Sequence, residues 1–161
     1  LKEKAIVSDR VFDENNNKSK TELIDELEKL LEAQVIIIPS LKSDMTGHAD
    51  GMVRFVDENT VIGNASNFKY GLESRIKTTL KMNGIEVIDF PYFDSKGDSA
   101  VGCYLNFLET EHIIFLPIFV VNMDKDAFIT AKDIFNKKIV TVNINEIAKD
   151  GGVLNCISWE T

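Results

Sequence analysis

Two short stretches of this chain hold residue types suited to nucleophilic chemistry with proton transfer. The first reads Ser43-Asp-Met-Thr-Gly-His-Ala-Asp50, with one residue between His48 and Asp50. In an extended segment that spacing puts both side chains on one side. A loop histidine beside a carboxylate suits acid/base work near neutral pH. A blander reading stays open, in which the two groups only satisfy backbone atoms of their own loop. The second stretch reads Asn145-Glu-Ile-Ala-Lys-Asp-Gly-Gly-Val-Leu-Asn-Cys156. Gly151-Gly152 reaches backbone conformations closed to other residues and puts one cysteine four residues on. A thiolate nucleophile needs a neighbouring acid/base group, so Cys156 gains weight as a partner for His48 and Asp50. Cysteine is also a common small buried hydrophobe, and that reading suits Cys103, on the first strand of an expected hairpin. A rival arrangement joins His48 and Asp50 to His112, in the order of a 2-His-1-carboxylate iron site. Iron oxygenases of that layout that use a 2-oxo acid need a basic residue after the second histidine, and Arg10, Arg54 and Arg75 all precede it. This arrangement ranks low.

The elements that must position these residues repeat along the chain. Ser19 and Glu22 form a Ser-x-x-Glu capping box, followed by an apolar stripe of Leu23, Ile24, Leu27, Leu30 and Leu31. A buried strand, Val35–Ile38, comes next and Pro39 ends it. A shift of 104 lands the stripe on Ala127, Phe128, Ala131, Ile134 and Phe135, a helix opened by Asp124 or Asp126, and the strand on Ile139–Val142. Half that shift, 52, reaches the strand Val87–Phe90 behind a helix carrying Leu72, Ile76 and Leu80 and stopped by Gly84. Hairpin-like segments precede the second and third helices: Met52–Val56 with Thr60–Ile62, and Tyr104–Leu108 with Ile113–Leu116. Each repeat therefore reads strand–strand–helix–strand. The chain divides into an αβ half repeat (19–38), two ββαβ repeats (52–90 and 104–142) and a nucleophile loop (143–161), within one domain. The repeat puts His112 at a hairpin turn. Loops 39–51, 91–102 and 143–156 each follow the last strand of a repeat. If the repeats are related by rotation, those loops emerge at one end of the molecule, where loops on rigid elements carry chemistry.

Composition narrows the partners. The chain has 161 residues with 44% apolar, enough for a packed core. Its longest apolar run, Ile113–Val121, is far short of the roughly 20 residues of a membrane span. A net charge of −8 with no block of Lys or Arg argues against nucleic acid. It suits a cationic small molecule, or serves only solubility. Two distant cysteines without Cys-x-x-Cys spacing disfavour a disulfide framework and structural zinc, and point to a reducing, cytoplasmic setting. The first residues, Leu1-Lys-Glu-Lys, lack the pattern of a signal peptide.

Gly47-His-Ala-Asp-Gly-Met-Val-Arg-Phe55 together with Gly151-Gly-Val-Leu-Asn-Cys-Ile157 resembles the agmatine deiminase and bacterial-type peptidylarginine deiminase family. Tyr104-x-Asn106-Phe107 and the strand bearing Pro117 are similar to it as well. The resemblance runs over nearly the whole chain. It implies the pentein fold, an α/β propeller of ββαβ repeats, with this chain as its C-terminal portion. It further implies a guanidine hydrolase without metal or organic cofactor, acting on a small cationic guanidino substrate, agmatine or arginine-like. Cys156 would be the nucleophile, Asp50 would hold the guanidinium and His48 would move protons. Three positions depart from the family: Asn155 stands where agmatine deiminases carry His, Asp44-Met-Thr46 is poorer in acid than usual, and Val120-Val121 replaces an expected Gly. The family's second guanidinium-binding carboxylate lies in N-terminal repeats outside this sequence. Two alternatives accompany the reading: a silent fragment that self-associates or packs on a missing N-terminal half, and an amidinotransferase of the same fold.

Overall fold

In the computed structural model, residues 4–40, 47–65, 71–95 and 99–159 are described. Asp44-Met-Thr46 and Leu1–Glu3 lie outside them. The chain forms two compact units, Leu1–Ile88 and Asp89–Thr161.

The first unit is built on β1 (Lys4–Ser8), α1 (Arg10–Glu14), α2 (Lys20–Leu31), β2 (Gln34–Ile38), β3 (Val53–Phe55), β4 (Thr60–Asn64), α3 (Leu72–Met82) and the start of β5 (Glu86–Phe90), whose last two residues are counted in the second. The capping box forms as the sequence predicts: Glu22 N donates to Ser19 Oγ at 3.3 Å and Ser19 N to Glu22 Oε2 at 3.0 Å. The Ser19 hydroxyl, donating to Glu22 Oε2 at 2.7 Å, and then Ser19 N hold the Glu22 carboxyl below its ordinary pKa, because they favour its charged form. Ile76 and Leu80 of α3 pack with Ile36, Ile38, Val53, Val61 and Ile85 into one core. Asn83 ends α3, its Nδ2 donating to Thr79 O at 2.8 Å, and Gly84 follows with φ +71°. β3 and β4 form the expected antiparallel hairpin, with Phe55 opposite Val61, and β5 joins β4.

β1 is a strand that the period does not reveal. It runs parallel to β2, Ala5 facing Val35. In the second unit the corresponding parallel partners are Ile114 and Ile139. They lie 25 residues apart in the chain, against 30 for the first pair, and the five residues of α1 account for the difference.

The second unit holds β6 (Leu108–Glu109), β7 (Ile113–Ile118), α4 (Met123–Ile134), β8 (Lys138–Asn143) and α5 (Asn145–Ala148). β7 lies between antiparallel β6 and parallel β8. The third strands of the repeats, β2, β5 and β8, begin at residues 34, 86 and 138, so the period holds where it was clearest.

Three expectations fail here. Tyr104–Phe107 is not strand but turn and irregular chain. Gly102 has φ +99°, and a Cβ there would sit 2.1 Å from the Phe93 carbonyl oxygen, so the chain bends sharply before Cys103. Tyr104 then turns inward against Phe93 and Phe119, with ring centroids 6.2 and 5.1 Å away. Asp124 does not open α4 as a cap. It sits inside the first turn, and its carboxylate reaches back to accept Phe119 N and Val121 N, both at 3.0 Å, and Tyr104 Oη at 2.7 Å. Finally, residues 143–156 are not all loop, since α5 makes one helical turn there. Among the described residues no helix is long and apolar enough to cross a membrane.

Candidate active site

The His48 loop is fastened at its base. Asp9, at the end of β1, donates its N–H to Ile38 O at 2.8 Å, and its Oδ1 accepts Ser40 N at 2.9 Å. Gly47 has φ +55°, and a Cβ there would crowd Arg10 Cδ at 3.2 Å and Ser40 Cβ at 3.4 Å. Glycine is therefore strongly favoured immediately before His48. His48 itself is extended (φ −71°, ψ 135°) and solvent-exposed. Asp50 is not extended: Ala49–Gly51 is a single 3-10 turn closed by Met52 N donating to Ala49 O at 3.0 Å. The strand-like alternation expected for His48 and Asp50 does not apply, because tight turns fan consecutive side chains around an axis. Asp50 is half-buried. At the far end of the β3–β4 hairpin, buried Asn64 grips the same turn: its N–H donates to Met52 O at 3.3 Å and its Nδ2 to Gly51 O at 3.0 Å.

Cys156 lies in the second unit on a different kind of support. Gly151 takes φ +90° after α5, and buried Val153 anchors the following turn, where Ile157 N donates to Val153 O at 3.2 Å. Cys156 is exposed. Asn106, 3% exposed, holds it from two directions. Cys156 N donates to Asn106 Oδ1 at 3.1 Å, and Asn106 Nδ2 donates to Cys156 Sγ at 3.2 Å. Asn155 N completes the grip with a 3.1 Å bond to Asn106 O. An amide N–H aimed at sulfur fixes the side-chain rotamer and strengthens as negative charge develops there. Asn106 had entered only as a motif letter, and no local signal could have tied it to a residue 50 positions away. Asn64 and Asp9 gave no signal at all.

Two residues before Asn106, the Tyr104 ring lies in the core between Phe93 and Phe119. That phenol is fully buried and bonded to Asp124, and burial first, then the Asp124 carboxylate, push its pKa far above the ordinary value. It is a fixed donor, not an acid for catalysis. Cys103 is half-buried on the bend rather than on a strand. His112 lies at the β6–β7 turn as expected, exposed and 3.7 Å from Glu111. Among the described residues, no group of three or more His, Cys, Asp and Glu side chains is placed to hold a metal ion.

Residues 3–161 match the model of the Porphyromonas-type peptidyl-arginine deiminases. The chain belongs to this family. No curated protein matches it. Among solved structures, the agmatine deiminase of Enterococcus faecalis is 20% identical with a TM-score of 0.82, covering 97% of this chain and 53% of that one. A C. jejuni agmatine deiminase is 23% identical with a TM-score of 0.77, covering 95% and 50%. An amidinotransferase of Microseira wollei is 16% identical with a TM-score of 0.58, covering 97% and 43%. The fold of this deiminase-family chain is thus α/β of the pentein type, and the chain spans about half the length of those proteins.

Proposed function

We propose that this chain is the C-terminal, nucleophile-bearing portion of a guanidine deiminase of the agmatine or peptidyl-arginine type. The observation that carries the reading is the exposed Cys156 oriented through both its sulfur and its N–H by buried Asn106, in a family named for deiminases. The Cys156 thiolate attacks the guanidinium carbon. Asp50 holds the guanidinium nitrogens through charge-assisted hydrogen bonds. His48 protonates the departing ammonia, then takes a proton from the water that attacks the thiouronium carbon. The S–C bond breaks, the thiolate is restored, and a ureido compound leaves. No metal or organic cofactor takes part. The substrate is a small cationic guanidine, and a cysteine-to-serine variant of the C. jejuni agmatine deiminase has been solved with substrate bound. A complete site takes a second carboxylate from repeats that this sequence does not contain.

The test is intact mass after incubation with a haloacetamidine, a guanidinium mimic that alkylates cysteine. Labelling of Cys156 over Cys103, lost in Asp50→Asn and Cys156→Ala, supports the reading. Equal labelling of both cysteines, or none, favours the silent-fragment alternative. In a longer chain that carries the N-terminal repeats, transfer of the amidino group to an added amine in place of ammonia release identifies the amidinotransferase instead.

A further inference from the structure

The end of β4 is built to reach the Asp50 turn, and Asn64 is the residue that reaches it. Val53 and Gly63 form the last pair of the β3–β4 ladder. A Cβ on Gly63 would meet Val87 Cγ1 at 3.0 Å and lie 3.8 Å from Met52 O. The bare backbone at 63 leaves room for the Val87 side chain of β5, while its distance to Met52 O is ordinary contact. One residue on, Asn64 continues the ladder through its N–H to Met52 O, and its Nδ2 extends the contact to Gly51 O. The two carbonyls that follow Asp50 are therefore both held by one side chain and its own backbone.

Asn64 is a poor choice for stability alone. Val61, Ile62 and Gly63 before it are buried and apolar, and Asn64 is itself only 8% exposed. Its Oδ1 is buried and meets no donor among the described residues. A buried amide with one acceptor unmet gains little over an apolar side chain of similar size. What an apolar residue could not do is donate to Gly51 O.

From this we infer that Asn64 is a positioning residue for Asp50, setting the orientation of the carboxylate that receives the cationic group of the substrate. The inference rests on the deiminase reading and adds a residue to it. Its distinguishing property is that it acts on recognition of the amidinium and not on the reactivity of the sulfur.

The experiment compares two reagents on this chain: a haloacetamidine, which needs Asp50, and neutral iodoacetamide, which does not. Asn64→Asp removes the donor at constant shape, and Asn64→Ala removes it without introducing a buried charge. Both variants should alkylate Cys156 roughly tenfold more slowly with the amidine, the scale expected when a reacting geometry is loosened. The iodoacetamide rate should stay within about twofold. Combining either variant with Asp50→Asn should add no further loss, because both act through one carboxylate. The inference is overturned if the Asn64 variants match the parent, if they slow both reagents equally, or if their losses multiply with that of Asp50→Asn. Loss of cooperative melting in both variants would make Asn64 a structural residue and overturn it too. Should Asp50→Asn leave the parent's amidine rate unchanged, the deiminase reading itself falls, and this inference with it.

Discussion

Each compact unit contains one site loop and one buried asparagine that grips it, but the two grips differ in completeness. Asn106 uses both side-chain atoms and its carbonyl on the Cys156 loop. Asn64 uses its backbone N–H and Nδ2 on the Asp50 turn and leaves Oδ1 unmatched among the described residues. A fully satisfied polar network stabilises and orients at once, whereas a partly satisfied one orients at a cost. The comparison separates two jobs that are easily merged. Asn106 touches the sulfur proposed to react, and Asn64 touches only the backbone behind the carboxylate proposed to recognise the substrate.

The largest effect follows directly. Asn106→Leu should slow alkylation of Cys156 by the haloacetamidine and by iodoacetamide alike, about a hundredfold if the sulfur loses its fixed orientation. It should also cost about 1–3 kcal/mol in urea unfolding, because Cys156 N–H loses its acceptor. Asn64→Leu removes one hydrogen bond and one unmatched acceptor together, so its unfolding cost should stay under about 1 kcal/mol. Equal unfolding costs for the two variants would erase the distinction.

These two asparagines also mark the boundary of what the sequence could tell. Elements governed by neighbours a few residues away were legible: the Ser19–Glu22 box, the stripe of α3, and the third strands at 34, 86 and 138. Elements governed by distant partners were not. Tyr104-Leu-Asn-Phe-Leu108 has a strand's composition, yet the Gly102 bend and the Phe93 and Phe119 rings draw Tyr104 inward instead. Asp124 has a cap's composition, yet its carboxylate is taken by Phe119, Val121 and Tyr104. β1 was hidden because five residues of α1 break the count. For the site, Cys156, His48 and Asp50 could be named as candidates from their types and surroundings. The side chains that hold two of them could not, because Asn106 and Cys156 are 50 residues apart and meet only in the folded chain.

The buried phenol of Tyr104, two residues before Asn106, gives a second test. Tyr104 has its pKa raised by burial and by Asp124, so in the folded chain it stays protonated above pH 10, where the unfolded phenol ionises. A raised folded-state pKa contributes stability that is fully present below the unfolded value and is lost as pH climbs past it. Unfolding free energy should therefore fall above about pH 10, with a contribution from this residue of up to about 1.4 kcal/mol per pH unit. Tyr104→Phe should remove that contribution and cost about 1.5–3 kcal/mol at neutral pH, the range for a hydrogen bond to a charged acceptor. Urea titrations at pH 8 and 10.5 on both chains measure it, and an unchanged pH slope in the variant would remove Tyr104 from the account.

The smallest effect lies in the segment that Asp124 ties down. Val120 has φ +61°, a left-handed conformation that β-branched residues rarely adopt. It is held there because Asp124 accepts the N–H on either side, from Phe119 and Val121. This is where the resemblance led one to expect glycine, and the backbone now supplies the reason. Strain at such a residue is worth about 1–3 kcal/mol, while glycine's extra freedom in the unfolded chain takes back about 0.4–1 kcal/mol. Val120 is 69% exposed, so little packing is lost with its side chain. Val120→Gly should therefore stabilise the chain by about 1 kcal/mol in urea unfolding, with Cys156 alkylation by iodoacetamide unchanged. A destabilised variant would mean that Asp124 and Tyr104 hold this segment less firmly than their hydrogen bonds indicate.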